Sequence, residues 1–330
     1  MKPRILLLNP APSLIKYGMK WGFEQNGCFV YLLDGEERIF DIPQEQQLAI
    51  IKQKIKELDI NFIFCEGYTN MPIHAISDLC RTNNIRFHWW AIEDPITPHI
   101  GEHKAKEKLV DYIWTTTEEF IPKYKKLGVD SDLLLFGCNP ELHKPVQSET
   151  RFKHDISLIA TNYSNRFDKT IEFIMPFIDK YYDIKIYGQW WYNPNQEFNL
   201  IDYRHMKIVW EEPGYIALPY EWLPIVVNSS KIMLGQNCCS TSKSQTSCRP
   251  FETLASSGES VFLSWYTEAQ NRYFGDYIYQ AKTGKEMLTK ANEILDMKAP
   301  QRRAIALKAR EYIVKHHNYA LRAKQVLDVL

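Results

Sequence analysis

Short apolar runs alternate along the chain with longer segments whose apolar positions recur every three or four residues. RILLLN (4–9), CFVYLLD (28–34), NFIFCEG (61–67), RFHWWAIED (86–94) and YIWTTT (112–117) each read as a buried strand, and SDLLLFGCNPELHKP (131–145) as a last strand followed by a turn. Among the intervening segments 43–58 is the clearest helix, with Leu48, Ile51, Ile55 and Leu58 on one face. Strand and helix alternating in this way predict parallel βαβ units covered on both faces. The polar stretch VQSETRFKHD (146–155) reads as a linker. The pattern then restarts, with strands at 156–161, 183–188, 230–235, 260–264 and 276–284 and helices at 166–180, 285–296 and 300–328. The expectation is an α/β protein of two doubly wound, Rossmann-like domains, 1–147 and 148–330, facing across a cleft, with the last helix packing back on the first domain. Ligands of such sheets lie beyond the carboxyl ends of the strands.

One segment of the second half carries candidate chemistry. In SCRPFETLASSG (247–258), Pro250 suits a first helical turn, Phe251, Leu254 and Ala255 share one face, and Gly258 is a natural stop, so a helix is expected to start near Arg249. Its start offers backbone N–H groups and partial positive charge to an anion, and Arg249 strengthens that attraction. Glu252, in the first turn, either accepts hydrogen bonds from a sugar hydroxyl or merely offsets the helix dipole.

Composition narrows the class. Lys plus Arg and Asp plus Glu number 40 each in 330 residues, which leaves no electrostatic footprint for general nucleic-acid binding. The N-terminal apolar run is too short for a signal-peptide core and nothing later reaches the length of a membrane span, so a cytoplasmic protein is expected. Seven cysteines without CxxC spacing read as reduced thiols rather than a disulfide framework or a zinc site.

With that layout, the chain resembles the CgeB-like spore maturation proteins, a family with the GT-B glycosyltransferase fold. The likeness rests on WAIEDP (90–95), DYIWTTTEEFIPKYKKLG (111–128), FGCNPELHKP (136–145), DISLIATNYSNR (155–166), IKIYGQWW (184–191) and SCRPFETLASSG (247–258), in the family's order and over almost the whole chain. The resemblance implies a transferase that holds a nucleotide-sugar, a UDP-sugar above others, mainly in its second domain and a glycan or protein acceptor in its first, without a metal. Its setting would be spore-coat or crust maturation, in the mother-cell cytoplasm or at the spore surface. Two alternatives follow from the same fold: a nucleotide-sugar epimerase, and a catalytically silent binding or assembly module.

The donor-binding residues so implied are Ser247, Arg249, Phe251 and Glu252, with Glu252 toward the ribose; Asn162, Tyr163 and Arg166 after the domain's first strand; Gly188 and Gln189 after the next; and Tyr215 and Ile216 in a loop that reads the base. Arg166 is either a phosphate partner or a surface helix cap; Gly188 would let the backbone approach the base and Gln189 or Trp190 would bracket it, with Trp190 and Trp191 at least equally readable as core. Many retaining GT-B enzymes carry a glutamate eight residues before the one at Glu252; here that position is Ser244. In the first domain an inverting transfer needs a base near the acceptor hydroxyl. Asp94 and His99 are the candidates, Asp94 being equally readable as a turn-forming carboxylate. His99 and His103, with no third ligand in view and Gly101 between them, do not make a metal site.

Overall fold

The computed structural model describes residues 2–9, 14–34, 41–66, 71–163, 165, 167–189, 191, 209, 218–237, 239 and 241–330. Two compact units divide them. The first takes Met1–Gly137, Ser242–Gln245 and Asn318–Leu330; the second takes Cys138–Thr241 and Thr246–His317. The changeover thus falls after Gly137, ten residues before the expected linker boundary, and the chain visits the first unit twice more.

In the first unit the elements run β1 (Arg4–Asn9), α1 (Leu14–Gln25), β2 (Phe29–Asp34), α2 (Gln44–Glu57), β3 (Phe62–Glu66), α3 (Ile73–Thr82), β4 (Arg86–Ala91), α4 (Pro98–Lys106), β5 (Tyr112–Thr115), α5 (Ile121–Lys126) and β6 (Asp130–Leu133). The six strands are parallel, in the order β2-β1-β3-β4-β5-β6. All of β3 is buried, as a strand covered on both faces must be. Alternate residues serve the two faces: Leu6, Ile63, Cys65, Phe87 and Trp89 join Ile51, Ile55, Ile76 and Cys80 of the helices on one side. The other side is aromatic, with Phe23 of α1 edge-on to Phe62 and Phe64, and Trp90 packed on Phe64 and Phe136.

The second unit runs β7 (His154–Ile159), α6 (Phe167–Phe173), α7 (Met175–Asp179), β8 (Ile184–Tyr187), α8 (Leu223–Asn228), β9 (Ser230–Gly235), α9 (Arg249–Ser256), β10 (Val261–Trp265), α10 (Glu268–Phe274), β11 (Tyr279–Ala281), α11 (Gly284–Asp296) and α12 (Ala299–His316). Its five parallel strands lie in the order β11-β10-β9-β7-β8. The helix expected over 166–180 is two, because Pro176 in the first turn of α7 has no N–H with which to continue α6. Cys138, where the chain enters, donates its N–H to the carbonyl of His317, where it leaves, at 2.8 Å.

The helix expected over 300–328 also breaks, at His317. Asn318 caps a new one, α13 (Tyr319–Leu327), by accepting the Leu321 N–H at 3.0 Å. This helix belongs to the first unit and packs on α1. A Cβ at Gly22 would stand 2.2 Å from the Tyr319 carbonyl oxygen, and one at Gly18 2.3 Å from the Tyr319 ring, so the two glycines let the helices approach. Asn26 ties the junction by donating to the carbonyls of both Gly22 and Ala320.

Candidate functional site

In the second unit the first crossover runs to one side of β7 and the next to the other, so the topological switch point lies between β7 and β9. Polar side chains gather in the loops that leave those two strands. The Gln236 amide donates to Thr170 Oγ1 at 3.0 Å, Asn237 Oδ1 accepts the Ser247 N–H at 2.8 Å, and the Asn162 N–H donates to the Gln189 carbonyl at 3.0 Å. Gln236 Oε1 and Thr246 Oγ1 are buried with no partner among the described residues. Leftover buried polar atoms at a switch point mark a place for water or ligand.

The loop after β9 ends at α9, whose start the sequence placed at Arg249. Every residue from Pro250 to Ser256 is buried, and no side chain caps the N-terminus. Arg249 donates to Glu252 Oε2 at 2.8 Å; the arginine side chain is 28 % exposed and the glutamate 3 %. A cation that can still turn toward solvent thus partners a carboxylate that cannot, beside uncapped helix N–H groups. Such a combination has the chemistry to bind an anion. The far end of α9 is closed from outside: Asn228 accepts the Gly258 N–H and donates to the Ser256 carbonyl, and Arg310 donates to that of Ala255. The stop expected of Gly258 is therefore made by a side chain of α8.

His143, unmarked in the sequence reading, lies in the turn that begins at Asn139. It is 1 % exposed, and its Nδ1 accepts the Asn139 N–H at 3.0 Å. Burial pushes its pKa below the usual histidine value, with Glu252 acting upward and Arg249 downward. Only the stretch FGCNPELHKP could have signalled it, as a polar ring inside an otherwise turn-like segment.

The other expected donor residues scatter in character. The Phe251 ring is fully buried against Phe274 and His317 and anchors α9 in the core, which leaves its backbone N–H, in the uncapped first turn, as what it can offer a ligand. Gly188 serves packing: a Cβ there would meet the Ala160 carbonyl oxygen at 2.0 Å, the same oxygen that accepts the Trp191 indole N–H at 2.6 Å. Trp191 is accordingly core. Asn162 is buried, Tyr163 is 45 % exposed, and Ser247 has its N–H engaged by Asn237. Arg166, Trp190, Tyr215 and Ile216 lie outside the described residues.

In the first unit, Asp94 is 2 % exposed, and its Oδ2 accepts both the Thr115 hydroxyl and the Tyr124 hydroxyl at 2.7 Å. Its carbonyl accepts from Thr116 and Thr117, each at 3.1 Å. Four hydroxyls therefore fix the turn after β4. Burial pushes the Asp94 carboxyl up to about 6 against those two donors. A carboxyl whose pKa is raised on folding costs stability as pH climbs from the unfolded value through the folded one, a cost fully present above about 6. Asp94→Asn keeps the acceptor oxygen, so the expected result is a gain of about 1–3 kcal/mol at pH 7.5 that vanishes below pH 4, read from urea melts. Loss of turnover in the folded variant, with no gain in stability, would instead favour the proton-removing role.

His99 is exposed at the start of α4, and the His103 ring lies 5.9 Å from that of His74. No group of three or more His, Cys, Asp or Glu side chains is placed to hold a metal among the described residues. Ser244 is bound to a carboxylate: its hydroxyl donates to Glu119 Oε2 at 2.5 Å, while the Lys243 N–H and the Ser242 hydroxyl donate to Oε1.

Two parallel, doubly wound units in this order form the GT-B fold. Residues 169–328 match a family model described as glycosyl transferase-like. Sucrose-phosphate synthase from Thermosynechococcus elongatus superimposes with a TM-score of 0.67 at 10 % identity, over 100 % of this chain and 98 % of that one. HepE of Anabaena in complex with UDP and glucose gives 0.64 at 10 % identity over 99 % of both chains, and OtsA without ligand 0.62 at 11 % over 99 % and 98 %. No curated protein sequence matches the chain. No described helix is long and apolar enough to cross a membrane.

Proposed function

We propose that the protein is a glycosyltransferase that takes a sugar from a nucleotide-sugar, a UDP-sugar first among them, and passes it to a hydroxyl of a glycan or protein acceptor. The observation that carries this reading is the Arg249–Glu252 pair at the uncapped start of α9, within the segment that matches the transferase-like family. The diphosphate would take the helix N–H groups and Arg249, and Glu252 would accept from the ribose hydroxyls. These contacts neutralise the diphosphate without a metal ion. The CgeB-like resemblance adds a spore-surface acceptor to the proposal.

HepE has been described in complex with UDP and with UDP-glucose, which makes these the first ligands to try. The test is a thermal-shift titration with UDP, GDP, TDP, CDP and ADP, with and without magnesium. Saturation at a hundredfold excess over Kd stabilises the native state by about 2.7 kcal/mol. The expected result is an upward shift in Tm with UDP, equal in both buffers; a flat response to all five would overturn the donor site. Release of UDP from UDP-glucose in the presence of acceptor then separates a transferase from a module that binds without turnover.

A further inference from the structure

Cys248, at the N-cap of α9, gives no side-chain cap, so the place where the chain enters that helix is set by bonds further upstream. A carboxylate supplies them. Glu119 Oε1 accepts the Lys243 N–H at 2.8 Å and the Ser242 hydroxyl at 3.1 Å, while Oε2 accepts the Ser244 hydroxyl at 2.5 Å. Both serine oxygens also accept from backbone: the Glu118 N–H donates to Ser244 Oγ at 2.8 Å, and the Gln245 N–H to Ser242 Oγ at 2.9 Å. A backbone N–H can only donate, so each hydroxyl keeps its own proton for the carboxylate. Burial works upward on the Glu119 carboxyl, and the bonds it accepts, that from Ser244 first, outweigh it and hold its pKa below the ordinary value.

The anchor itself is held firmly. Glu118–Phe120 form a single 3₁₀ turn after β5, Phe120 is buried, and the hydroxyls of Thr115, Thr116 and Thr117 just before it all bond Asp94. Ser242–Gln245 count with the first unit, as Glu119 does. Beyond Ser244 only Gln245 and Thr246, both buried, precede Ser247, whose N–H donates to Asn237 Oδ1 at 2.8 Å. Arg249 follows two residues later. We infer that Glu119 is a positioning residue for the donor site: its carboxylate holds residues 242–247 in the path that delivers Arg249 and the first N–H groups of α9 to the diphosphate. The inference rests on the donor site proposed above. A loop ordered before the ligand arrives spares binding the cost of ordering it.

Three variants separate this role from a merely structural one. Glu119→Ala removes all three bonds to the loop. Glu119→Gln keeps an oxygen for Lys243 and Ser242 and loses the acceptor for Ser244, and Ser244→Ala removes that same bond from the other side. Binding of UDP is measured by calorimetry on the full chain, with Tm recorded to confirm folding and amide hydrogen exchange followed over residues 243–252. The expected result is that E119A weakens UDP binding about tenfold and speeds exchange over 243–248, while E119Q and S244A each stay within about threefold of wild type. E119A binding UDP as tightly as wild type would overturn the inference alone; should E119A not fold, wild-type affinity and exchange in S244A would do so. Weaker binding by E119A with unchanged exchange would also overturn it, since that pattern belongs to a carboxylate that touches the ligand itself. So would equal losses in E119A and E119Q, because the amide retains two of the three bonds. Wild-type protein that binds no UDP would overturn the donor site, and this role with it.

Discussion

Glu252→Ala lowers the affinity for UDP roughly 10- to 150-fold, the equivalent of the 1.5–3 kcal/mol carried by hydrogen bonds to a charged group. Glu252 is almost wholly enclosed, so its carboxylate is held in one place rather than searching for the ribose, and the ordering cost of the contact is met during folding. Removing it frees Arg249, which at 28 % exposure reaches water and leaves no stranded charge. The variant therefore folds, and its loss is read in calorimetry rather than expression. Glu252→Gln keeps the shape but not the charge, and should fall between alanine and wild type. An alanine variant that is folded and binds UDP with wild-type affinity would remove Glu252 from the donor site.

Gly22→Ala is the second large effect, and it is on stability. In an exposed helix the exchange would gain about 1 kcal/mol. Here the new methyl meets the Tyr319 carbonyl oxygen at 2.2 Å and its carbon at 2.6 Å, and backbone cannot rotate aside as a side chain can. Either α13 lifts from α1 or the turn at Asn318 distorts. Overpacking of this kind costs about 1–3 kcal/mol beyond what propensity returns. Urea unfolding should show the lower midpoint, and limited proteolysis should cut α13 sooner than in wild type. A variant as stable and as resistant as wild type would mean that α13 is not seated on these glycines.

The strands were legible because parallel sheets bury both faces, so each strand is a short apolar run: RILLLN, NFIFCEG and SKIMLG are β1, β3 and β9 to within a residue or so. The start of α9 was legible because a proline, a periodic apolar face and an acidic first turn act locally. What depended on distant partners was not. The end of α9 is set by Asn228 and Arg310, one before it and one far after it in the chain. The Phe251 ring packs into the core against Phe274, on the apolar face it shares with Leu254 and Ala255, whereas the resemblance sets the residue among those that hold the donor. His143 gave no periodic signal, since its place comes from a turn bond to the Asn139 N–H. Asp94 was readable two ways, and the hydroxyls of Thr115 and Tyr124 that surround it could not be foreseen from its own neighbourhood.

The pairing of α13 with α1 has a consequence for the order in which the molecule assembles. The Asn26–Ala320 bond joins residues 294 positions apart, while the second unit begins and ends between them. During synthesis every residue of the second unit is joined to the chain before Tyr319 is. The groove left by Gly18 and Gly22 is, until then, an apolar surface of the nascent first unit without its cover. Folding of the earlier-made unit is therefore finished last, and the interval in which that surface is bare is when a chaperone, or another nascent chain, has its opportunity to bind.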